Sequence, residues 1–262
     1  MTDRVALRYI DLLKRCVTNL IYEDPGIRYP WDHSSTQMYV PFERQRRVEA
    51  RDWPSQAHTM IGVRRLDQVE RFVTELVADG VPGDLIETGV WRGGSVIFMR
   101  GLLEALQVRD RVVWAADSFQ GFPTTPEQGV TERSWTSMSA EPEPQGEAVM
   151  TGISLDDVRG NFERYGLLDE QVRFLPGWFH HTLPGAPIER LALLRLDGDL
   201  YDSTRDALEA LYPKVSPGGY VIVDDYDFTE ECRAAVHDYL ATTDEAVTLV
   251  TDAEAAYWRK ER

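Results

Sequence analysis

The chain has 262 residues, 43% of them hydrophobic, which is enough for one large α/β domain or two small ones. Its 28 basic and 44 acidic side chains give a net charge of −16, and such a surface repels phosphate backbones, which argues against a nucleic-acid substrate. A neutral small molecule, or an anion neutralised by a metal ion, suits this charge better. No run of about 18 apolar residues is present, so no segment is expected to span a membrane.

The first residues and the cysteines indicate the compartment. The stretch MTDRVALRYIDLLKRC carries charges throughout and lacks the apolar core of a signal peptide. The only two cysteines, Cys16 and Cys232, are far apart and lack the spacing of metal ligands. This argues against a disulfide framework and against a cysteine zinc site. We therefore expect a cytoplasmic protein.

The first predicted element is a helix over residues 5–22, where apolar pairs recur at helical spacing and form one face. Residues 23–56 are rich in Pro, Trp and charge, which predicts irregular structure, and residues 66–79 form a second amphipathic helix. We expect the first helix to pack across the substrate mouth and to help form a homodimer, and the alternative is that it packs only on its own domain. Residues 1–80 would form a cap on a single domain that spans the whole chain.

From residue 84 onward, short buried strands alternate with helices. The predicted strands are residues 84–89, 111–117, 172–177, 190–198, 219–225, 246–252 and 255–260, and the predicted helices are residues 94–106, 153–165, 202–212 and 229–241. This alternation predicts a parallel sheet covered on both faces, and the last two strands are typical of an antiparallel edge hairpin. The proline-rich stretch 119–150 is too long for an ordinary connection, which predicts a lid or a disordered loop.

Five successive strands of this predicted sheet end in acids or glycine. The residues at these ends are Glu87, Thr88, Gly89, Asp117, Gly177, Asp197, Asp224 and Asp225. In open parallel sheets, ligands bind beyond the carboxyl ends of the strands. We therefore expect the functional site at this edge.

The first of these ends, ETGVWRGGS at residues 87–95, predicts a ligand-binding turn. Its glycines let the turn approach a ligand closely, and the following helix points its N-terminus at whatever is bound. The pattern is not the G-x-G-x-x-G of dinucleotide sites, and Glu87 would repel a diphosphate but suits a sulfonium or an ammonium. Asp117 ends the next strand, where a carboxylate commonly holds ribose hydroxyls. Together these residues predict an S-adenosylmethionine site, although the turn by itself also fits a plain connection.

The stretch LRLDGDLYDST at residues 194–204 places Asp197 at the end of one strand, and Asp224 and Asp225 end the strand predicted beside it. Adjacent strands lie about 4.8 Å apart, so the three carboxylates are expected to converge. They repel one another unless they share protons or bind a cation, and oxygen ligands suit a hard ion such as Mg²⁺. The alternatives are a solvated loop after Asp197 and a helix N-cap at Asp224 and Asp225.

Three further residues near these ends have open roles. His180 and His181 follow PGWF in a turn, where they would either contact a ligand or be solvated or packed. Tyr201 lies next to the acids, and it either reaches the substrate or packs at the start of a helix.

Several motifs are long enough to be specific: YIDLLKRCVTNLIYEDP, AHTMIGVRRLD, VPGDLIETGVWRGGSVIFMRGLL, ADSFQGFP, RYGLLDEQVRFLPGWF, LRLDGDLYDST and YPKVSPGGYVIVDDY. Over nearly the whole chain, the sequence resembles the Mg²⁺-dependent sugar O-methyltransferases of antibiotic biosynthesis, the macrocin, mycinamicin and novobiocin type. The resemblance implies a class I S-adenosylmethionine-dependent methyltransferase fold. This fold is Rossmann-like, with a mostly parallel seven-stranded sheet and an antiparallel edge hairpin, and here it would carry an N-terminal helical extension and a lid insertion.

By this resemblance, the cofactors are S-adenosylmethionine and Mg²⁺, and the acceptor is a deoxysugar hydroxyl of a glycosylated antibiotic. The implied cofactor-binding residues are Thr59, Met60, Glu87, Gly89, Gly93, Ser95, Asp117, Ser118, Gly177, Trp178 and Phe179. Within this set Asp117 would bind the ribose, Trp178 and Phe179 would lie near the adenine, and Thr59 and Met60 would cover the site.

Asp197, Asp224 and Asp225 match the metal ligands of that family, and Asp197 also matches its suggested base. Asp199 is the alternative base if the chain turns it inward. The acceptor stays open between a macrolide-bound and an aminocoumarin-bound sugar. The rival functions are a NAD-dependent oxidoreductase on a similar sheet and a non-catalytic cofactor-binding subunit.

Overall fold

The computed structural model describes residues 4–28, 39–123, 125–129, 131, 133, 153–243, 247–252 and 255–261. Within these ranges the helices are α1 (Arg4–Val17), α2 (Arg44–Val48), α3 (Gly62–Ala78), α4 (Gly94–Ala105), α5 (Leu155–Arg164), α6 (Phe179–Thr182), α7 (Tyr201–Leu211) and α8 (Glu230–Leu240). The strands are β1 (Gly26–Ile27), β2 (Tyr39–Val40), β3 (Trp53–Pro54), β4 (Asp84–Thr88), β5 (Val113–Asp117), β6 (Val172–Pro176), β7 (Leu191–Leu196), β8 (Val215–Val223), β9 (Val250–Asp252) and β10 (Ala255–Arg259). None of the described helices is both long enough and apolar enough to cross a membrane.

Seven strands form one sheet in the order β6–β5–β4–β7–β8–β10–β9. The first five run parallel, and β10 pairs antiparallel with both β8 and β9. The predicted parallel sheet with an antiparallel edge hairpin is therefore confirmed. The chain adds β5 and β6 on one side of β4 and then returns to add β7 on the other side. Ligands of such sheets bind in the crevice that opens where the strand order reverses, here between β4 and β7.

Both faces of the sheet are covered, because alternate residues of its central strands face opposite layers. On one face, Leu85 and Ile222 pack with apolar residues of α1, α3, α4 and α5. On the other face, Leu194 and Val221 pack with α7 and α8. Strands that are buried on both faces are continuous apolar runs, which is why the sequence predicted them by composition rather than by alternation.

The segment predicted to be irregular, residues 23–56, contains a small second sheet, in which β1 pairs antiparallel with β2 and β3. Residues 29–38 of this segment lie outside the described ranges. The buried Arg47 stabilises the segment, because its guanidinium forms ion pairs of 2.8 Å with both Asp24 and Asp52. Two-residue strands show no periodicity, and a buried arginine is indistinguishable in sequence from a solvated one, so neither feature could be predicted.

Helix α1 ends at Val17, earlier than the predicted residue 22, and Asn19 beyond it adopts a φ of 51°. One face of α1 packs on α4, where Leu13 lies against Gly101 so closely that any side chain at Gly101 would overlap it. On another face, Val5 is exposed. The homodimer through this helix, and its place across the substrate mouth, remain predictions.

Most of the predicted lid, residues 119–150, lies outside the described residues. Of the residues that are described, Thr131 donates two hydrogen bonds of 2.8 and 2.9 Å to the Asp202 carboxylate. Arg133 donates to the Tyr201 hydroxyl at 2.6 Å and to Asp238 at 2.7 Å. Two residues of the insertion therefore contact α7 and α8, and the lid itself remains a prediction.

Replacing Leu13 with Ala should lower the free energy of unfolding by about 2–5 kcal/mol, because the buried side chain loses its contacts and leaves a cavity. The matched control is Leu12→Ala in the same helix, since the Leu12 side chain is 52% exposed. This control should change stability by less than about 0.5 kcal/mol. Urea unfolding measures both variants, and equal effects would contradict the docking of α1 through Leu13.

Candidate active site

The acids predicted at the strand ends meet at the carboxyl edge of β4, β7 and β8. The Asp197 amide donates to the Thr88 carbonyl at 2.8 Å, and the Asp224 amide donates to the Leu196 carbonyl at 2.8 Å. These bonds extend the pairing of β7 with β4, and of β8 with β7, by one residue. Asp197 and Asp224 are thereby held at the sheet edge, just beyond the ends of their own strands. As a result, Asp197, Asp224 and Asp225 each offer one carboxylate oxygen within 4.8 Å of the others. The structure thus brings together the three residues predicted to bind a metal.

A buried guanidinium lies beneath these acids. Arg195, the second-last residue of the otherwise apolar strand β7, is 1% exposed. One of its amino groups contacts both Glu87 and Asp197, the latter at 2.6 Å, and the other contacts Asp224. Arg65 of α3 donates to the second oxygen of Asp224. Neither arginine was predicted as a site residue; the one available signal was Arg195, a single arginine inside an otherwise apolar strand.

The charges in this cluster do not balance. Two guanidiniums face five carboxylates, which belong to Glu87, Asp197, Asp199, Asp224 and Asp225. Burial, followed by repulsion from the neighbouring aspartates, raises the pKa of Asp199 to about 8 and that of Asp225 well above its usual value. Such carboxylates need protons or a further cation. The donor set, all oxygen and converging, fits a divalent ion such as Mg²⁺, which would be held by Asp197, Asp224 and Asp225.

Asp199 differs from the other acids in its contacts. Its backbone amide donates to Asp225 Oδ2 at 3.1 Å, and its carbonyl accepts from the Thr229 hydroxyl at 3.0 Å. These bonds hold the residue at a φ of 57°, in the left-handed region. Among the described contacts, no hydrogen bond reaches the Asp199 carboxylate, whereas the Asp197 carboxylate accepts from Arg195. The Asp199 carboxylate lies near the acid cluster, because Asp197 and Asp224 help to raise its pKa and it in turn helps to raise that of Asp225.

The predicted cofactor turn follows β4 directly. Gly89 has a φ of 89°, and a side chain there would overlap the carbonyl of Asp197, so only glycine lets β4 and β7 approach so closely. Gly93, with a φ of 84°, precedes the first turn of α4. The helix N-terminus therefore points into the crevice, which suits a ligand that accepts backbone hydrogen bonds.

Glu87 and Ser95 bind each other beneath this turn. The Ser95 hydroxyl donates to one oxygen of Glu87, and Arg195 donates to the other. Glu87 is fully buried, and burial raises its pKa to about 7 although Arg195 opposes the shift. Its shown partners are thus inside the protein, and direct contact of either residue with the cofactor remains a prediction.

Asp117 lies at the end of β5, beside the same turn. Its two oxygens accept from the backbone amides of Val90 and Phe119, each at 2.8 Å. Burial raises its pKa, and these amides oppose the shift. The bonds fix the carboxylate at the crevice, where its role toward a ribose remains a prediction. The neighbouring Ser118 donates to the Gly121 carbonyl at 2.7 Å.

The remaining predicted cofactor residues flank the crevice. Thr59 is buried against Gly94 at the start of α4, and Met60 packs in a small cluster with Ile27, Trp53 and Trp91. On the other side, the Gly177 amide donates to the Asp117 carbonyl at 2.9 Å, and Trp178 and Phe179 follow at the start of α6. Their contacts with a cofactor remain predictions.

The residues with open roles are placed as follows. Tyr201 donates from its hydroxyl to Asp238 at 2.9 Å, at the start of α7. The His180 and His181 rings lie 3.8 Å apart, and His180 packs against Gly129. These contacts favour the packed interpretation for Tyr201 and His180.

The fold and the acid-lined crevice define a class I methyltransferase. The solved structure of the O-methyltransferase NovP is similar to this chain, with a TM-score of 0.87 and 48% identity over 98% of this chain and 100% of that one. The family model described as Macrocin-O-methyltransferase (TylF) matches residues 6–260. The chain belongs to this family and is an S-adenosylmethionine-dependent O-methyltransferase. The oxidoreductase alternative is not supported.

Three curated relatives are similar over most of their length. Demethyldecarbamoylnovobiocin O-methyltransferase of Streptomyces niveus is 49% identical over 97% of this chain and 94% of its own. An 8-demethyl-8-(2,3-dimethoxy-alpha-L-rhamnosyl)-tetracenomycin-C 4'-O-methyltransferase of Streptomyces olivaceus is 52% identical over 91% of this chain and 87% of its own. Mycinamicin III 3''-O-methyltransferase of Micromonospora griseorubida is 49% identical over 96% of both chains.

Replacing Gly89 with Ala should disrupt the crevice, because the added methyl group overlaps the Asp197 carbonyl and the left-handed backbone strains any other residue. We expect lower thermal stability and at least about tenfold weaker binding of S-adenosylhomocysteine, as befits a displaced binding turn. The control is Gly160→Ala in α5, where no atom lies within 4 Å of the added methyl group. This change should raise stability by up to about 1 kcal/mol. Unimpaired binding by Gly89→Ala would show that the turn does not contact the cofactor.

Proposed function

We propose that this protein transfers the methyl group of S-adenosylmethionine to a deoxysugar hydroxyl of an antibiotic glycoside, with a divalent metal ion at Asp197, Asp224 and Asp225. The observation that carries the proposal is the convergence of these three carboxylates beside the glycine turn at Gly89. The names of the three relatives, each an O-methyltransferase of a novobiocin, tetracenomycin or mycinamicin compound, support the acceptor class.

The acceptor scaffold is a separate question. The three relatives are between 49% and 52% identical to this chain, yet their names carry three different scaffolds. Sequence identity therefore does not choose among them. We propose the class, a sugar hydroxyl on a macrolide or aminocoumarin type of antibiotic, and extend it to the tetracenomycin type.

The metal would bind the acceptor hydroxyl and lower its pKa, which is the chemistry a hard divalent cation supplies. The chain itself supplies the rest. The glycine turn and Asp117 orient the methyl donor on one side of the crevice, and the aspartates orient the acceptor on the other. Holding both partners in line accounts for a large part of the rate enhancement in such transfers.

The base is Asp199 in this proposal. Asp197 was the residue that the sequence favoured, but its carboxylate accepts a 2.6 Å bond from the Arg195 guanidinium, which opposes the rise in pKa that burial causes, and in this proposal Asp197 also binds the metal ion. The Asp199 carboxylate has no such bond among the described contacts. It would take the proton of the acceptor hydroxyl as the oxygen attacks the methyl group, leaving S-adenosylhomocysteine and the methyl ether.

The direct test is incubation of the purified protein with S-adenosylmethionine and each of three acceptors: demethyldecarbamoylnovobiocin, mycinamicin III and the rhamnosyl tetracenomycin. Mass spectrometry should detect a product that has gained one methyl group on the sugar of at least one acceptor. The reaction should stop in EDTA and resume with excess Mg²⁺. A protein that binds S-adenosylmethionine yet methylates none of the three would contradict the acceptor class, and full turnover in EDTA would contradict the metal.

Asp225→Asn should weaken Mg²⁺ binding and lower activity by at least about 10–100-fold, the range typical of a disturbed metal site. S-adenosylhomocysteine affinity should stay nearly unchanged, because the cofactor residues lie on other strands. The matched control is Asp227→Asn in the same turn, whose carboxylate is 39% exposed and pairs with Arg233. Calorimetric titration with Mg²⁺ compares the two, and equal affinities would exclude Asp225 as a ligand.

Asp199→Asn should lower kcat by about 10²–10⁴-fold, the usual contribution of a general base, while Mg²⁺ and cofactor affinities persist. Asp197→Asn should lower turnover chiefly by weakening Mg²⁺ binding, so that saturating Mg²⁺ recovers part of it. Steady-state kinetics across Mg²⁺ concentrations separates the two effects. The reverse pattern, with a functional Asp199→Asn and an inactive, metal-loaded Asp197→Asn, would assign the base to Asp197.

A further inference from the structure

Asp224 is held from two sides, and one of these contacts comes from outside the main sheet. Arg195 donates to its Oδ1, and Arg65 of α3 donates to its Oδ2. The Asp224 side chain is 3% exposed and that of Arg65 is 11% exposed, so solvent screens this pair weakly. By contrast, Asp225 Oδ2 accepts a hydrogen bond from the backbone amide of Asp199.

Both contacts are needed to fix the plane of the Asp224 carboxylate. A carboxylate with one guanidinium partner turns toward a two-pronged arrangement, in which both oxygens bind the same guanidinium. Arg195 would draw Asp224 into that arrangement if Oδ2 lost its partner. Such a rotation would move the Asp224 oxygen that now lies within 4.8 Å of an oxygen of Asp197 and of Asp225.

We propose that Arg65 is a positioning residue for the metal site, because it holds Asp224 in the orientation that presents an oxygen to a divalent cation. This inference rests on the proposed function, since it concerns the same aspartates. It assigns to α3, which precedes the methyltransferase sheet, a role in the chemistry at the sheet's edge.

The opposing interpretation is that Arg65 only neutralises charge. The two roles predict opposite signs. Removing a positive charge from an acidic site strengthens its attraction for a cation, so a purely neutralising Arg65 would weaken Mg²⁺ binding, and its loss would tighten it. Removing a positioning residue loosens the ligand and weakens Mg²⁺ binding despite the gain in negative charge.

The test is calorimetric titration of Mg²⁺ into the full-length wild type, Arg65→Met, Arg65→Lys and Arg64→Met. Arg64 is the adjacent residue of α3, its side chain is 59% exposed, and it pairs with Glu49 away from the acids. Arg65→Met should bind Mg²⁺ at least about tenfold more weakly than wild type, as for other residues that orient a metal ligand. Arg65→Lys should lie between them, and Arg64→Met should match wild type. The affinity for S-adenosylhomocysteine should be the same in the three variants as in the wild type.

Several outcomes would overturn the assignment. Equal or tighter Mg²⁺ binding by Arg65→Met would make Arg65 a neutralising residue. Equal losses of Mg²⁺ and S-adenosylhomocysteine affinity would make its role structural. If Arg65→Met does not fold, Arg65→Lys decides, and an affinity equal to wild type would reject positioning because an ammonium lacks the planar geometry of a guanidinium. A wild type that binds no Mg²⁺ would instead overturn the proposed metal site, on which this inference rests.

Discussion

The ion pairs of Arg195 are the interaction on which the rest of the site depends. Its guanidinium is 1% exposed and contacts carboxylates that belong to or follow three adjacent strands: Glu87 in β4, Asp197 after β7 and Asp224 after β8. Removing one partner of a buried ion pair costs about 3–5 kcal/mol, because the other charge is left unpaired. Glu87 also lies directly opposite Arg195 in the strand pairing. The register of the central strands and the positions of the acids are therefore fixed by the same contacts.

The reversal of strand order explains why the predicted cofactor turn and the acid cluster lie next to each other. Strands β4 and β7 are neighbours in the sheet, although they are separated in sequence by β5 and β6. The turn after β4 and the loop after β7 consequently open into one crevice, and they meet where Gly89 lies against the Asp197 carbonyl. Methyl transfer requires donor and acceptor to be in contact and in line. In this fold the sheet topology itself places the predicted cofactor turn beside the acid cluster.

The strands and helices of the sheet could be predicted because burial on both faces leaves long apolar runs with acids or glycine at their ends. The convergence of Asp197, Asp224 and Asp225 followed from strand spacing alone. Other features depend on partners that are distant in sequence. Arg195 and Arg65 are charged residues whose burial becomes evident only when the strands are assembled, and Arg47 holds the N-terminal segment in the same way. The cofactor role assigned to Glu87 came from its position, and its partners inside the protein could not be read from the sequence.

Asp199 shows how closely the proposed base and the proposed metal ligands depend on one another. Its left-handed backbone is tolerated because aspartate adopts this conformation more readily than most residues. The Asp225 carboxylate and the Thr229 hydroxyl hold the conformation from both sides of the residue. A movement of Asp225 would therefore also release the backbone of Asp199. It follows that the two proposed roles would not be independent: Asp225, the proposed metal ligand, also determines where the backbone of Asp199, the proposed base, is held.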